Sequence, residues 1–315
     1  MLIGIIGTSE IARQHARAVK KLGHQVIFAK SDNSESLNTI KCGNEFPEFP
    51  QVNLDALLYK HDCDSIISCL PVSLVDHYFD ELYAYNKAIL FEKPPYLNKT
   101  TFLVQSDKNT MHRVGFNKRF FTSVKALKNK VMQEAPMHVA LTISESSSAH
   151  RYDRLNSRKL NYLYYSSSSH LLDLALYLFG DSDKVNFRSV TSKSGNHYGY
   201  VGNIEFFNGV FAGVSILVDD PVRIGISCFF MNGERWILSP LEQLTIYKGY
   251  NISVRQNINT YKPRIESRVK TDINPEIKPG IEEQMMAFIN KIDGTLATFN
   301  QYQNFVSLVS KISNS

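Results

Sequence analysis

Leu2-Ile3-Gly4-Ile5-Ile6-Gly7-Thr8-Ser9-Glu10-Ile11-Ala12 decides the fold. Residues 2–6 are an apolar run stopped by a glycine, the pattern of a parallel strand buried on both faces. Ser9 stands where a helix N-cap is expected, and Ile11, Ala12, Ala16, Val19 and Leu22 make an apolar stripe that closes at Gly23. Residues 25–29 then read as a second strand. Strand, tight turn, helix and strand within about 30 residues make a βαβ unit with a right-handed crossover. Further buried strands follow at residues 65–70, ended by Pro71, and at residues 88–91, ended by Glu92-Lys93-Pro94-Pro95. This order predicts a doubly wound parallel sheet, an α/β Rossmann domain over residues 1–117.

A dinucleotide fingerprint needs a first Gly for the turn, a second for close approach of backbone to the pyrophosphate, and a third for helix–strand packing. Here those positions hold Gly7, Ser9 and Ala12. Alanine serves at the third. Serine at the second puts a side chain where phosphate approaches, although its hydroxyl and the amides of a helix N-terminus still suit an anion. The turn alone leaves dinucleotide binding and a plain tight turn both open. Asp32, after the second strand, favours binding, because an acid there can hold ribose hydroxyls.

Beyond residue 136 the pattern becomes short strands. Asn208-Gly209 joins the run 203–207 to 210–218, and Asn232-Gly233 joins 224–231 to 234–238; Asn-Gly between strand-like runs is a strong hairpin signal. With 137–144 and 185–193 they predict an open, mainly antiparallel sheet in an α+β domain over residues 118–315. Helices are expected at 169–179, closed by Gly180, and at 281–292 and 302–312. The stripes Ile281, Met285, Phe288, Ile289, Ile292 and Phe305, Leu308, Val309, Ile312 read as packing faces.

The 315 residues suit two domains at about 150 residues each. At 43% hydrophobic and 21% charged, the composition excludes disordered and collagenous classes. Lys and Arg number 35 against 30 Asp and Glu; the +5 excess is dispersed and gives no reason to expect a nucleic-acid or membrane partner. Cys42, Cys63, Cys69 and Cys228 form no CxxC pair and read as reduced thiols. No signal peptide or bilayer-spanning run is expected, so the location expected is cytoplasmic. The histidines show no metal-ligand spacing, and no metal is expected.

Taken together, these residues resemble the Gfo/Idh/MocA family, named for glucose-fructose oxidoreductase and inositol dehydrogenase. The resemblance spans the chain: Ile5-Ile6-Gly7-Thr8, Asp64-Ser65-Ile66-Ile67 leading to Pro71, Lys87 to Pro94, Val114 to Phe120, His170-Leu171-Leu172-Asp173 ending at Gly180, and Pro279-Gly280. It implies a nicotinamide held between two domains over the strand ends, hydride transfer to or from a sugar carbon, and an open sheet used in homo-oligomers. Lys93 would then bond or protonate the reacting oxygen, Glu92 would orient Lys93 or the cofactor, Lys93-Pro94 would be cis, and His170 would be the acid/base. Gly7, Thr8, Ser9, Glu10, Ile11, Asp32, Cys69, Leu70, Pro71 and Glu92 would line the cofactor, with NAD favoured over NADP; Arg119, Tyr165, Ser166 and Asp173 would face the substrate.

Two positions depart from the family. Ser9 is one; the other is Ser166, four residues before His170, where family dehydrogenases often carry Asp. They leave a second reading beside the enzyme: a catalytically silent dinucleotide- or sugar-binding regulator of the same fold. Basic and aromatic residues interleave through His150-Arg151-Tyr152-Asp153-Arg154 and Tyr162-Leu163-Tyr164-Tyr165, and this suits either a nucleotide-linked sugar or a solvated loop.

Overall fold

The structure is a computed structural model that describes residues 1–30, 51–97, 111–146, 162–191, 197–221, 224–256, 258–292 and 294–314. Its contacts divide the chain into two compact units, residues 1–120 with 273–302, and residues 121–272 with 303–315.

The first unit is built on a six-stranded parallel sheet. Its strands are β1 (Leu2–Ile6), β2 (Gln25–Lys30), β3 (Gln51–Asn53), β4 (Ser65–Ser68), β5 (Ala88–Glu92) and β6 (Arg113–Gly115). They lie in the order β3-β2-β1-β4-β5-β6, the Rossmann order, with the switch point between β1 and β4. Ile3, Ile5, Ile6, Ile66 and Ile67 are buried completely, which explains the unbroken apolar runs in the sequence. Helices α1 (Glu10–Lys21), α2 (Leu54–Tyr59) and α3 (Val75–Ala84) alternate with the strands.

The compact units depart from the division expected at residue 117. Ala12, Ala16 and Val19 of α1 share one core cluster with Ile281, Met285 and Phe288, and the late helix therefore belongs with the Rossmann sheet. Two local expectations are also corrected. Ser9 has the extended N-cap backbone, but its side chain makes no capping bond. The late helix stops at Ile289, so Ile292 lies beyond its buried face and is 53% exposed.

One buried histidine of this unit sets a pH dependence. His112 is 1% exposed; its Nδ1 accepts from Ile89 N at 3.2 Å and its Nε2 donates to Tyr83 O at 3.0 Å, an arrangement only the neutral ring satisfies. Burial pulls its pKa down to about 4 from 6.5. The unfolded chain takes up this proton as pH drops below about 6.5 and the folded one does not until about 4, so folding stability falls across that window. Between pH 7 and pH 5 this residue should remove about 2 kcal/mol. Urea unfolding at both pH values, compared with His112→Gln, checks it: the difference in pH dependence between the two proteins should match that loss.

The second unit holds an eight-stranded sheet in the order β14-β13-β12-β11-β7-β10-β9-β8. Its strands are β7 (His138–Glu145), β8 (Ser182–Thr191), β9 (His197–Phe206), β10 (Phe211–Val218), β11 (Ile224–Phe229), β12 (Glu234–Leu238), β13 (Gln243–Arg255) and β14 (Ile258–Lys270). In this sheet, among the described residues, only β7 and β10 pair in parallel, and both Asn-Gly turns close hairpins as expected. Helices α4 (Thr122–Gln133) and α5 (Ser167–Phe179) belong to this unit. Helix α6 (Ile281–Ile289) completes the first, while the division between units falls within α7 (Phe299–Ser313). Phe305, Leu308, Val309 and Ile312 of α7 are fully buried. No helix among the described residues is long and apolar enough to cross a membrane.

Candidate active site

The β1–α1 turn sits at the carboxyl ends of the central strands. Gly7 has φ +96°, and a Cβ built on it would lie 2.5 Å from Cys69 O. Two backbone bonds fix this approach: Gly7 N donates to Ala29 O at 2.9 Å, and Cys69 N donates to Ile6 O at 2.8 Å. The turn is therefore bound to β2 on one side and to the end of β4 on the other, at the switch point where open α/β sheets take their ligands. A side chain at residue 7 would displace backbone.

Helix α1 opens directly from this turn. Thr8 is buried, Ser9 and Glu10 are exposed, and Ser9 Oγ is not used in capping. The first-turn amides have no partners within the helix and are suited to an anion. Glu10 adds a negative charge there: bonds from Gln14 Nε2 (2.8 Å) and from Arg13 pull its carboxyl down to about 2. Arg13 and Arg17 lie on the same carboxylate and balance it. A left-handed glycine, an uncommitted serine hydroxyl and a neutralised acid fit a dinucleotide pyrophosphate. Burial pushes the Cys69 thiol well above its usual range, so Cys69 serves here through its backbone. Leu70 is half-buried and Pro71 exposed just beyond β4; Asp32 lies outside the described residues.

Lys93 follows β5 at the same edge of the sheet and is half-buried, and its bond to Pro94 is cis. Glu92, the last residue of β5, has Oε1 2.7 Å from His15 Nε2 of α1. His15 is not among the residues that the sequence singles out. Its position in an alanine-rich stripe gives no motif; only the fold brings residue 15 to residue 92.

In the second unit, His170 is a half-buried residue of the first turn of α5. The start of that helix is held from outside by a carboxylate. Glu145, at the end of β7 and 2% exposed, accepts from Ser166 Oγ at 2.7 Å and from both the amide and the hydroxyl of Ser168. Ser169 Oγ donates to Ser166 O at 2.7 Å. The serines at 166–169 thus form the helix start, two residues ahead of the expected position at 169, with three of their side chains occupied. Glu145 was also missed, because it sits 21 residues before its nearest partner with no motif between.

The expected substrate contacts separate into two groups. Tyr165 and Ser166 are half-buried near the start of α5. Arg119 and Asp173 are each 1% exposed, and Arg119 Nη1 donates to Gln301 Oε1 at 2.8 Å, so these two side chains are committed inside the protein. Residues 150–154 lie outside the described residues. Among the described residues, no cluster of His, Cys, Asp or Glu has metal-binding geometry.

The first 116 residues match the family model described as an oxidoreductase family with an NAD-binding Rossmann fold. Over residues 1–116 the chain is similar to the Gfo/Idh/MocA family. A curated relative, the uncharacterized oxidoreductase YrbE of Bacillus subtilis (strain 168), is 26% identical over 186 residues, covering 57% of this chain and 54% of YrbE. The match thus spans about half of that relative's length.

Solved structures extend the likeness of fold to the whole chain. UDP-N-acetylglucosamine 3-dehydrogenase GnnA from Acidithiobacillus ferrooxidans is 17% identical with a TM-score of 0.73, covering 99% of this chain and 97% of its own. Levoglucosan dehydrogenase, solved with NADH and levoglucosan, is 17% identical with a TM-score of 0.74 over 100% of this chain and 96% of its own. A putative myo-inositol dehydrogenase from Sinorhizobium meliloti 1021 is 16% identical with a TM-score of 0.71 over 100% of this chain and 97% of its own.

Proposed function

We propose that this chain belongs to the Gfo/Idh/MocA family and is an NAD(P)-dependent oxidoreductase acting on a carbinol carbon of a sugar or sugar derivative. The observation that carries the reading is Lys93 at the carboxyl end of β5, on the sheet edge that also holds the Gly7 turn. A bound nicotinamide supplies or accepts the hydride. The chain's own residues manage the accompanying charge: as a C–H bond is lost from the carbinol, the hydroxyl proton passes to His170, and the Lys93 ammonium stabilises the oxygen while it carries negative charge. In reduction His170 returns that proton to the carbonyl oxygen. An imidazole suits both directions because its ordinary pKa lies near neutrality.

Asp32 follows β2, where a carboxylate bonds ribose hydroxyls and repels a 2′-phosphate; NAD is the cofactor proposed over NADP. Arg151, Arg154 and Tyr165, close in sequence to His170, support a nucleotide-linked sugar as substrate. The activity named for GnnA supports the same class. Exposed Tyr250, Ile252, Val254, Ile258 and Tyr261 on β13 and β14 support a homo-oligomer.

The test is His170→Asn, assayed over a panel of free and nucleotide-linked sugars with NADH or NAD. Turnover should fall about 10²–10⁴-fold, the range for loss of a general acid–base, while NADH affinity stays at the wild-type value. An H170N protein with the wild-type rate overturns the assignment.

A further inference from the structure

The His15–Glu92 pair is costly unless it serves a purpose. His15 projects from α1 among Ala12, Ala16 and Val19, and its side chain is completely buried. An apolar residue would fill that position without the cost of desolvating an imidazole. Its Nε2 lies 2.7 Å from Glu92 Oε1, while its Nδ1 is buried with no hydrogen-bond partner. With no acceptor to meet at Nδ1, the proton sits on Nε2, so the imidazole donates and the carboxylate accepts. Glu92 is closely fitted on its other side as well. A Cβ built on Gly115 of β6 would lie 3.0 Å from the same Oε1, and the carboxylate therefore rests over a residue with no side chain. Glu92 is only 14% exposed, and Lys93 follows it directly.

We propose that His15 is a positioning residue for Lys93: its bond to Glu92 holds the carboxyl end of β5 against α1 and keeps the Glu92 charge at a fixed place one residue before Lys93. The same bond ties the helix that opens from the Gly7 turn to the strand that presents the lysine. The significance for catalysis rests on the function proposed above. The bond between His15 and Glu92 does not.

The experiment reads the lysine directly. Protein without substrate is acylated with limiting acetic anhydride at pH 8, and mass spectrometry gives the rate at Lys93 relative to exposed Lys60. Removing the negative charge in Glu92→Gln makes the ammonium less favoured, and more free amine reacts. In His15→Phe the carboxylate loses its buried donor and leaves that place, with the same consequence. Each variant should raise the Lys93 rate about threefold or more, equivalent to about half a pKa unit. The double variant should rise no further than Glu92→Gln, since His15 acts only through Glu92. His15→Gln, whose amide nitrogen stands close to the position of Nε2, should restore the wild-type rate. If His15→Phe does not fold, His15→Asn, which is too short to reach Glu92, carries the same expectation. A wild-type rate in His15→Phe or His15→Asn, or a rise that adds fully to that of Glu92→Gln, overturns the proposal. A purely structural role would lower the melting temperature and leave the acylation rate unchanged. Because the rate belongs to Lys93 whether or not any sugar turns over, failure here is distinct from failure of the enzymatic reading.

Discussion

Lys93→Met is expected to lower kcat by about 10²–10³-fold, the loss seen when one charge-stabilising donor is removed from a developing oxyanion. Methionine keeps most of the length and apolar contact of the lysine stem while deleting the ammonium, so packing at the end of β5 is preserved. NADH affinity should remain within a factor of a few of wild type, because the proposed contact is with the reacting oxygen. Steady-state kinetics on the sugar the wild-type protein turns over fastest, together with NADH titration of both proteins, checks both parts. An unchanged kcat contradicts the proposed mechanism.

Gly7→Ala is expected to be the most damaging single-methyl substitution in the first unit. The residue has φ +96°, which costs an alanine about 1–2 kcal/mol before any contact is considered. The new Cβ would stand 2.5 Å from Cys69 O, a backbone atom of a residue whose amide is bonded to Ile6 O. Either β1 or the end of β4 must move. We expect a loss of about 3 kcal/mol or more in urea unfolding, in the range of strained and overpacked sites. The movement also opens the turn that the proposed pyrophosphate contact requires, so NADH binding should fall at least tenfold, about 1.4 kcal/mol. Stability and affinity equal to wild type would show that the turn does not have the role assigned to it.

Much of this architecture is legible in the sequence because it depends on short-range signals. The run ending at Gly7, its stripe on α1 and the two Asn-Gly turns each carry their pattern within a few residues, and each appears as an element of the structure. The long β13–β14 hairpin was not anticipated: β14 is exposed along almost its whole length, so its residues show no alternation of apolar and polar faces to read. The return of residues 273–302 to the first unit was hidden for another reason. An apolar helix stripe shows that a face is buried but not against which sheet. His15 and Glu145 were missed because their meaning lies in pairs separated by 77 and 21 residues. Lys93 and His170 are proposed only through the motifs around them; as isolated residue types they are ordinary surface and packing choices.

The most direct test of the central claim is a fluorescence titration of the purified protein with NADH, alongside Gly7→Ala as control. Saturable binding at one site per chain is expected in wild type, and at least tenfold weaker binding in the variant. Absence of saturation in the wild-type protein up to millimolar NADH would contradict it.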